Sequence, residues 1–443
     1  HKDLFKAIDS LYNREQNLNP LRSGIELFFK ESMNLIKNDK IFLNVLRKIV
    51  LKDAEWEIQL TKTRKAILAV IANELEAINN SQLELLIAMA EQCFLNEYVY
   101  YFDLSESESI NLIISRCMNE GINEPSISIL ACYIPIYKLV KKIPSIISFN
   151  SSNNNFKNLL KLQLSEPLKE IELSKYIKKL GSINNYISKQ VQAQYEENPY
   201  PRWRYGNSSK ELKFSAFQII NSEIAPNLIT CEMDRNPLKV LIAGCGTGNQ
   251  ILQSQRYKNA QITAIDLSSS SLSYANRKII ELGINNVDLI QMDILEASLL
   301  NENFDIIECG GVLHHMHDPS KGLKSLLSIL KRNGFLKLGL YSELARLSIT
   351  NSRDFIASKN IKSNDKSIRQ FRQNIISGNL PELNHLKSIG HFYSTSECRD
   401  LCFHVQEHRF TINQLEFLLN SNKLKFLGFL LPQSTKSLYK NYF

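Results

Sequence analysis

The stretch Val240-Leu241-Ile242-Ala243-Gly244-Cys245-Gly246-Thr247-Gly248 decides the fold. An unbroken apolar run enters three alternate glycines, and residues from Asn249 onward read as a helix. Such a run bounded by glycine is a buried strand, here 239–243. Glycines at 244, 246 and 248 let the backbone turn sharply and approach a ligand closely. Downstream, strands are expected at 261–265, 287–291, 305–309 and 335–341. A helix over 269–282 stops at Gly283, suited to a left-handed cap. Asp318 followed by Pro319 opens the next helix, and Asn333-Gly334 turns the chain into the strand that follows it. Short apolar strands alternating with amphipathic helices specify a parallel α/β sheet.

The chain has 443 residues, formal net charge +8, 44% hydrophobic and 22% charged residues. Its length allows two or three domains, and the α/β part needs about half of it. Lys and Arg are spread along the chain, so the basic excess does not point to nucleic acid, and none is expected as a partner. No run of 18 apolar residues exists, so no membrane insertion is expected. The eight cysteines form no C-x-x-C pair and read as reduced thiols of a cytoplasmic protein. Cys398, Cys402, His404 and His408 match no closed zinc site, and no metal is assigned.

Residues 1–190 read as a helical N-terminal region, with apolar residues at three and four spacings over 81–96 and 157–180. A linker or lid segment follows at 191–214, then the α/β core at 215–345. A polar helical insert is expected at 346–404, and the end of the core at 405–443. There a helix over 412–419 and a strand over 425–430 resume the alternation. One more strand would complete a seven-stranded, mostly parallel sheet, and the tail is short for it. The chain begins at His1 and is expected to be a fragment or processed form, truncated at its C-terminus.

The glycine loop gains meaning from the next strand ends. Asp266 lies 18 residues past Gly248 and closes its strand, where a carboxylate accepts hydrogen bonds from ribose hydroxyls. Asp293 ends the third strand, where a side chain meets an adenine edge. The third glycine comes one residue earlier than in the dinucleotide fingerprint G-x-G-x-x-G, which cradles a pyrophosphate. A nicotinamide-binding or cofactor-free Rossmann-like domain is the alternative.

On these residues the chain resembles the class I S-adenosylmethionine-dependent methyltransferases. The resemblance implies a Rossmann-like core with S-adenosyl-L-methionine as cofactor. It implies that Gly244, Cys245, Gly246, Thr247 and Gly248 line the methionine and ribose, with Asp266 and Leu267 at the ribose. Asp293 and Ile294 would meet the adenine, with Cys309, Gly310 and Leu313 beside the methionine moiety. The family usually carries an acidic residue two positions before the first glycine, for the cofactor amine. Here that residue is Ile242, so another group or backbone carbonyls must serve the amine.

Methyl transfer from a sulfonium needs an available lone pair, in-line alignment and exclusion of water. The acceptor side is expected beyond the strand at 305–309, in Glu308-Cys309-Gly310-Gly311-Val312-Leu313-His314-His315-Met316-His317. It lacks the Asp/Asn-Pro-Pro-aromatic motif of adenine and glutamine methyltransferases. His314, His315 and His317 are read either as bases and cofactor contacts or as caps of strand and helix, His314 being the best exception to the plainer reading.

Two further segments stand out. Gln194-Tyr195-Glu196-Glu197-Asn198-Pro199-Tyr200-Pro201-Arg202-Trp203 is stiffened by two prolines and is read as a lid over the cofactor or as a packed strap. The second runs from His391-Phe392-Tyr393-Ser394 to His408-Arg409-Phe410-Thr411 and is read as a polar acceptor site or a solvated helix face. With Gln92-Cys93-Phe94-Leu95-Asn96-Glu97-Tyr98 these segments are similar to the rickettsial protein lysine methyltransferases that modify outer membrane protein B. That likeness implies a protein substrate, an outer membrane protein, lysine ε-amine chemistry and a homodimer. Tyr195, Tyr200 and His408 are then candidates to deprotonate the amine. Arg202, Trp203, His314 and Tyr393 are candidates for substrate or lid contacts. The alternative is a small-molecule, quinone-like acceptor, because Val312-Leu313-His314-His315 also resembles quinone methyltransferases.

Overall fold

A computed structural model describes residues 40–74, 77–206, 212–230, 236–432 and 434–437. They form two compact units. One comprises residues up to 176 with 197–207 and 348–404; the other comprises 177–196, 208–347 and 405–443.

The second unit is built on a six-stranded, wholly parallel sheet. Its strands are β1 (Lys178–Lys179), β2 (Leu238–Ala243), β3 (Ala260–Asp266), β4 (Val287–Gln291), β5 (Phe304–Gly310) and β6 (Leu330–Gly339), in the order β1-β4-β3-β2-β5-β6. β2 is central and buried on both faces, as its unbroken apolar run requires. One face packs Val240, Ile242, Ile262, Ala264 and Ile306 against the helices Ala216–Ile224, Asn249–Ser254 and Ser269–Leu282. The other packs Leu241, Ala243, Ile265, Ile307 and Cys309 against residues of the helix Pro319–Ser328. The direction of the chain reverses at β2, with β3 on one side and β5 on the other, so the glycine loop lies at the switch point. The expected helix stops and starts are formed. Gly283 caps Ser269–Leu282 at φ 62°, and Asp318 accepts from the Ser320 and Lys321 N–H groups.

One helix reading and one strand reading are corrected. The helix expected over 157–180 ends at Ser174, and the chain then pairs Lys178 with Ile290 and Lys179 with Gln291 as β1. Residues 425–430 form no strand, although the preceding helix, Ile412–Ser421, is present. Among the described residues no neighbouring strand supplies a ladder there, and Phe426, Phe429 and Leu430 are exposed. The sheet therefore has six strands among the described residues instead of seven.

The first unit is helical, with a core from Ile41 to Leu164 that includes Trp56, Leu86 and Phe156. The helix Asn80–Leu95 starts in a capping box at Asn79 and Gln82. The insert supplies the helices Leu347–Ser358, Asp365–Ile376 and Thr395–Cys402, whose buried residues pack against Val50, Ala54 and Ile58. Buried charges tie this unit together. Arg372 makes paired hydrogen bonds to Glu57 at 2.9 and 2.7 Å, with both side chains almost fully buried. Seven of the eight cysteines are described, and all seven are buried. Among the described residues no helix is long and apolar enough to cross a membrane.

Candidate cofactor and acceptor site

The glycine loop is tied to β3. The N–H groups of Gly244 and Cys245 donate to the Ile265 carbonyl at 2.8 and 3.0 Å, and Gly248 N–H closes the turn on the Cys245 carbonyl at 2.9 Å. Gly244 sits at φ 79°, and a Cβ there would lie 2.2 Å from a Val312 methyl carbon. The backbone path thus excludes side chains at the point where a ligand would approach.

Asp266 ends β3 beside the loop. Its carboxylate accepts from the Gly246 and Ser268 N–H groups, both at 2.8 Å. Burial raises its pKa to about 6, and these hydrogen bonds oppose the rise. A carboxylate has about four acceptor positions, so acceptor capacity remains for a ribose hydroxyl. The Leu267 carbonyl accepts from Gln192 and Gln291. Asp293 caps the turn after β4 through the Leu295 N–H at 3.0 Å, with Ile294 buried beside it. Cys309 and Leu313 are buried at the end of β5, and burial pushes the Cys309 thiol up to about 12.

Beyond β5 and β6 the second unit gathers a group that is dispersed in the sequence. The His314 ring stacks on Tyr341 with centroids 3.8 Å apart, and His315 meets both edge-on. The Arg346 guanidinium lies 4.2 Å from the Tyr341 centroid and is paired with Glu407. After the insert the chain returns along the end of β6. His408 N–H donates to the His314 carbonyl at 2.7 Å, and Phe410 N–H to the Tyr341 carbonyl at 2.8 Å. The His408 Nε2 lies 3.0 Å from the Met316 carbonyl oxygen. Imidazole groups beside the cofactor strands can accept a proton, and with the Tyr341 ring they form an aromatic ledge for an acceptor.

The remaining candidates divide between the units. Tyr195 lies in the sheet unit, its carbonyl accepting from Ser268, and the neighbouring Glu196 carboxylate caps the Ser269 and Ser270 N–H groups. Tyr200, Arg202, Trp203 and Tyr393 lie in the helical unit. There Arg202 stands 3.8 Å from Glu97, Trp203 is buried, and the Tyr393 hydroxyl donates to the Lys387 carbonyl. Sequence reasoning missed Tyr341 and Arg346, and it placed Glu407 in a polar segment without naming its partner. Arg346 and Glu407 are separated by 61 residues, and only the aromatic and charged residues after β6 hinted at them.

Residues 240–334 match the methyltransferase domain family. An uncharacterized protein of Synechococcus is 30% identical over 204 residues, which span 43% of this chain and 48% of that protein. The ubiquinone biosynthesis O-methyltransferase of Pasteurella multocida is 35% identical over 109 residues, spanning 22% of this chain and 44% of that protein. The chain thus spans about half the length of these curated relatives. Among solved structures, PKMT2 of Rickettsia typhi in complex with AdoHcy matches with a TM-score of 0.40 at 20% identity, covering 55% of this chain and 50% of that one.

Proposed function

We propose that this chain, which carries a class I S-adenosylmethionine-dependent methyltransferase domain, transfers methyl groups from that cofactor to lysine ε-amines of a protein. The bound cofactor would supply a sulfonium-activated methyl group. The Gly244–Gly248 backbone would admit the methionine and ribose, Asp266 would accept from the ribose hydroxyls, and Asp293 and Ile294 would bound the adenine. An outer membrane protein as substrate, and action as a homodimer, belong to the same proposal.

The observation that carries a protein acceptor is the helical unit, with its own core and insert. A lysine side chain offers little surface, so a protein substrate must be held by contacts remote from the reacting amine. The amine attacks only after losing a proton, and the imidazoles of His314 and His408 are candidate acceptors beside the strand ends, His314 stacked on Tyr341. The test is to incubate the chain with methyl-labelled cofactor and candidate proteins, then map label by mass spectrometry. Label on lysines supports the reading, and label confined to other residues or to small molecules contradicts it.

A second reading, methylation of a quinone-like acceptor, is favoured by the stacked His314–Tyr341 pair, which suits a flat ring. Label appearing on a quinone-like phenol and on no protein would select it.

A further inference from the structure

The position two residues before the glycine loop is Ile242, fully buried and unable to compensate a cofactor ammonium. The structure puts a carboxylate beside it. In the parallel register Ile242 stands opposite Glu308 of β5, and in-register neighbours project to the same face of a sheet. Glu308 is buried, with one oxygen 2.9 Å from the Tyr257 hydroxyl and the other 3.2 Å from the Ser254 hydroxyl. Ser254 also lies 3.0 Å from the Gln250 carbonyl, which links this carboxylate to the helix that leaves the glycine loop.

Gln250 is the second element. Its amide rests against the end of β5: a Cβ at Gly310 would lie 2.7 Å from Gln250 Nε2, so the absence of a side chain at 310 makes room for it. Its Oε1 is buried and accepts no hydrogen bond. A buried amide oxygen without a donor is costly, and a ligand N–H would recover that cost.

We propose that Gln250 and Glu308 together take over the task of the missing acidic residue, Gln250 Oε1 accepting an N–H of the cofactor's α-ammonium and Glu308 supplying the compensating charge. The assignment rests on the reading of the cofactor as S-adenosylmethionine and names the group that holds its amino-acid end. The chemistry divides the labour: the amide gives direction, and the buried carboxylate, held by the Tyr257 hydroxyl and beside Ser254, gives charge in a low-dielectric setting. It also accounts for glycine at 310, where a methyl group would displace the amide.

The test measures binding to the full chain by calorimetry with two ligands, S-adenosylhomocysteine and methylthioadenosine, which lacks the amino-acid group. Gln250→Leu and Glu308→Gln should each weaken S-adenosylhomocysteine by about tenfold while leaving methylthioadenosine within about twofold of wild type. Gln250→Glu keeps an acceptor and should retain S-adenosylhomocysteine binding. Equal losses for both ligands would show that the pair merely supports the loop and would overturn the assignment, as would unchanged binding of both. Wild-type chain that binds neither ligand would overturn the cofactor reading itself, a result distinct from selective failure of the variants.

Discussion

The carboxylate of Asp266 and the N–H of Gly246 are joined by a hydrogen bond of 2.8 Å, which fixes the end of β3 to the middle of the glycine loop that follows β2. One side chain therefore both shapes the loop and presents its remaining lone pairs to a ribose. Its protonation state governs both tasks.

Cofactor binding should depend on pH through Asp266. Its folded-state pKa is raised to about 6, so the carboxyl is ionised above pH 6 and neutral below it. A neutral carboxyl loses acceptor capacity and charge. Titrations of S-adenosylhomocysteine from pH 8 to pH 5 should show constant affinity at the high end and a progressive loss below about pH 6, approaching tenfold per unit. Affinity that rises as the pH falls would contradict the role assigned to Asp266.

Gly244→Ala should abolish cofactor binding while leaving the helical unit folded. The new methyl group would lie 2.2 Å from a Val312 methyl carbon, at a backbone φ of 79° that is strained for alanine. Circular dichroism should retain helical signal while calorimetry shows binding reduced at least about tenfold. Wild-type affinity would mean that the loop path seen here is not the binding one.

Glu97 offers a stability test in the helical unit. Burial raises its pKa to about 7, against opposition from Arg202 and the Ser396 hydrogen bonds. The folded state thus holds the proton more tightly than the unfolded chain, whose ordinary value is about 4.5. Stability from this group is present below pH 4.5 and is lost as pH rises through 7. Glu97→Gln retains an acceptor for Ser396 and removes that dependence. Its melting temperature relative to wild type should rise between pH 5 and pH 8, and a constant difference would refute the shift.

The Arg372–Glu57 pair predicts a non-additive pattern. Removing one partner leaves a buried charge uncompensated, so Arg372→Met and Glu57→Met should each cost about 3–5 kcal/mol in denaturant unfolding. The double variant should be less damaged than the sum of the two. Simple additivity would show the pair to be uncoupled.

Much of the sheet unit was legible because its signals are local. The run from Val240 to Ala243, the alternate glycines and the strand end at Asp266 each carry their meaning within a few residues. What escaped depends on distant partners. β1 has only Lys178 and Lys179, both exposed, with no apolar alternation to reveal it; the open edge of β4 makes it a strand. The segment 425–430 has strand-like residues but no neighbour to pair with among the described residues. The insert is polar in sequence, yet Arg372 reaches Glu57 across 315 residues and joins the insert to the N-terminal helices. The grouping of His314, Tyr341 and Arg346 with Glu407 escaped for the same reason, since the insert separates Glu407 from the other three.

The central claim is that Asp266 and the glycine loop form an S-adenosylmethionine site. It is tested most directly by calorimetric titration of the full chain and of Asp266→Ala with S-adenosylhomocysteine. The account predicts saturable one-to-one binding to the wild type, weakened by about tenfold or more in the variant, because a charge-assisted hydrogen bond contributes about 1.5–3 kcal/mol. No binding to the wild type, or equal affinity for both proteins, would contradict it.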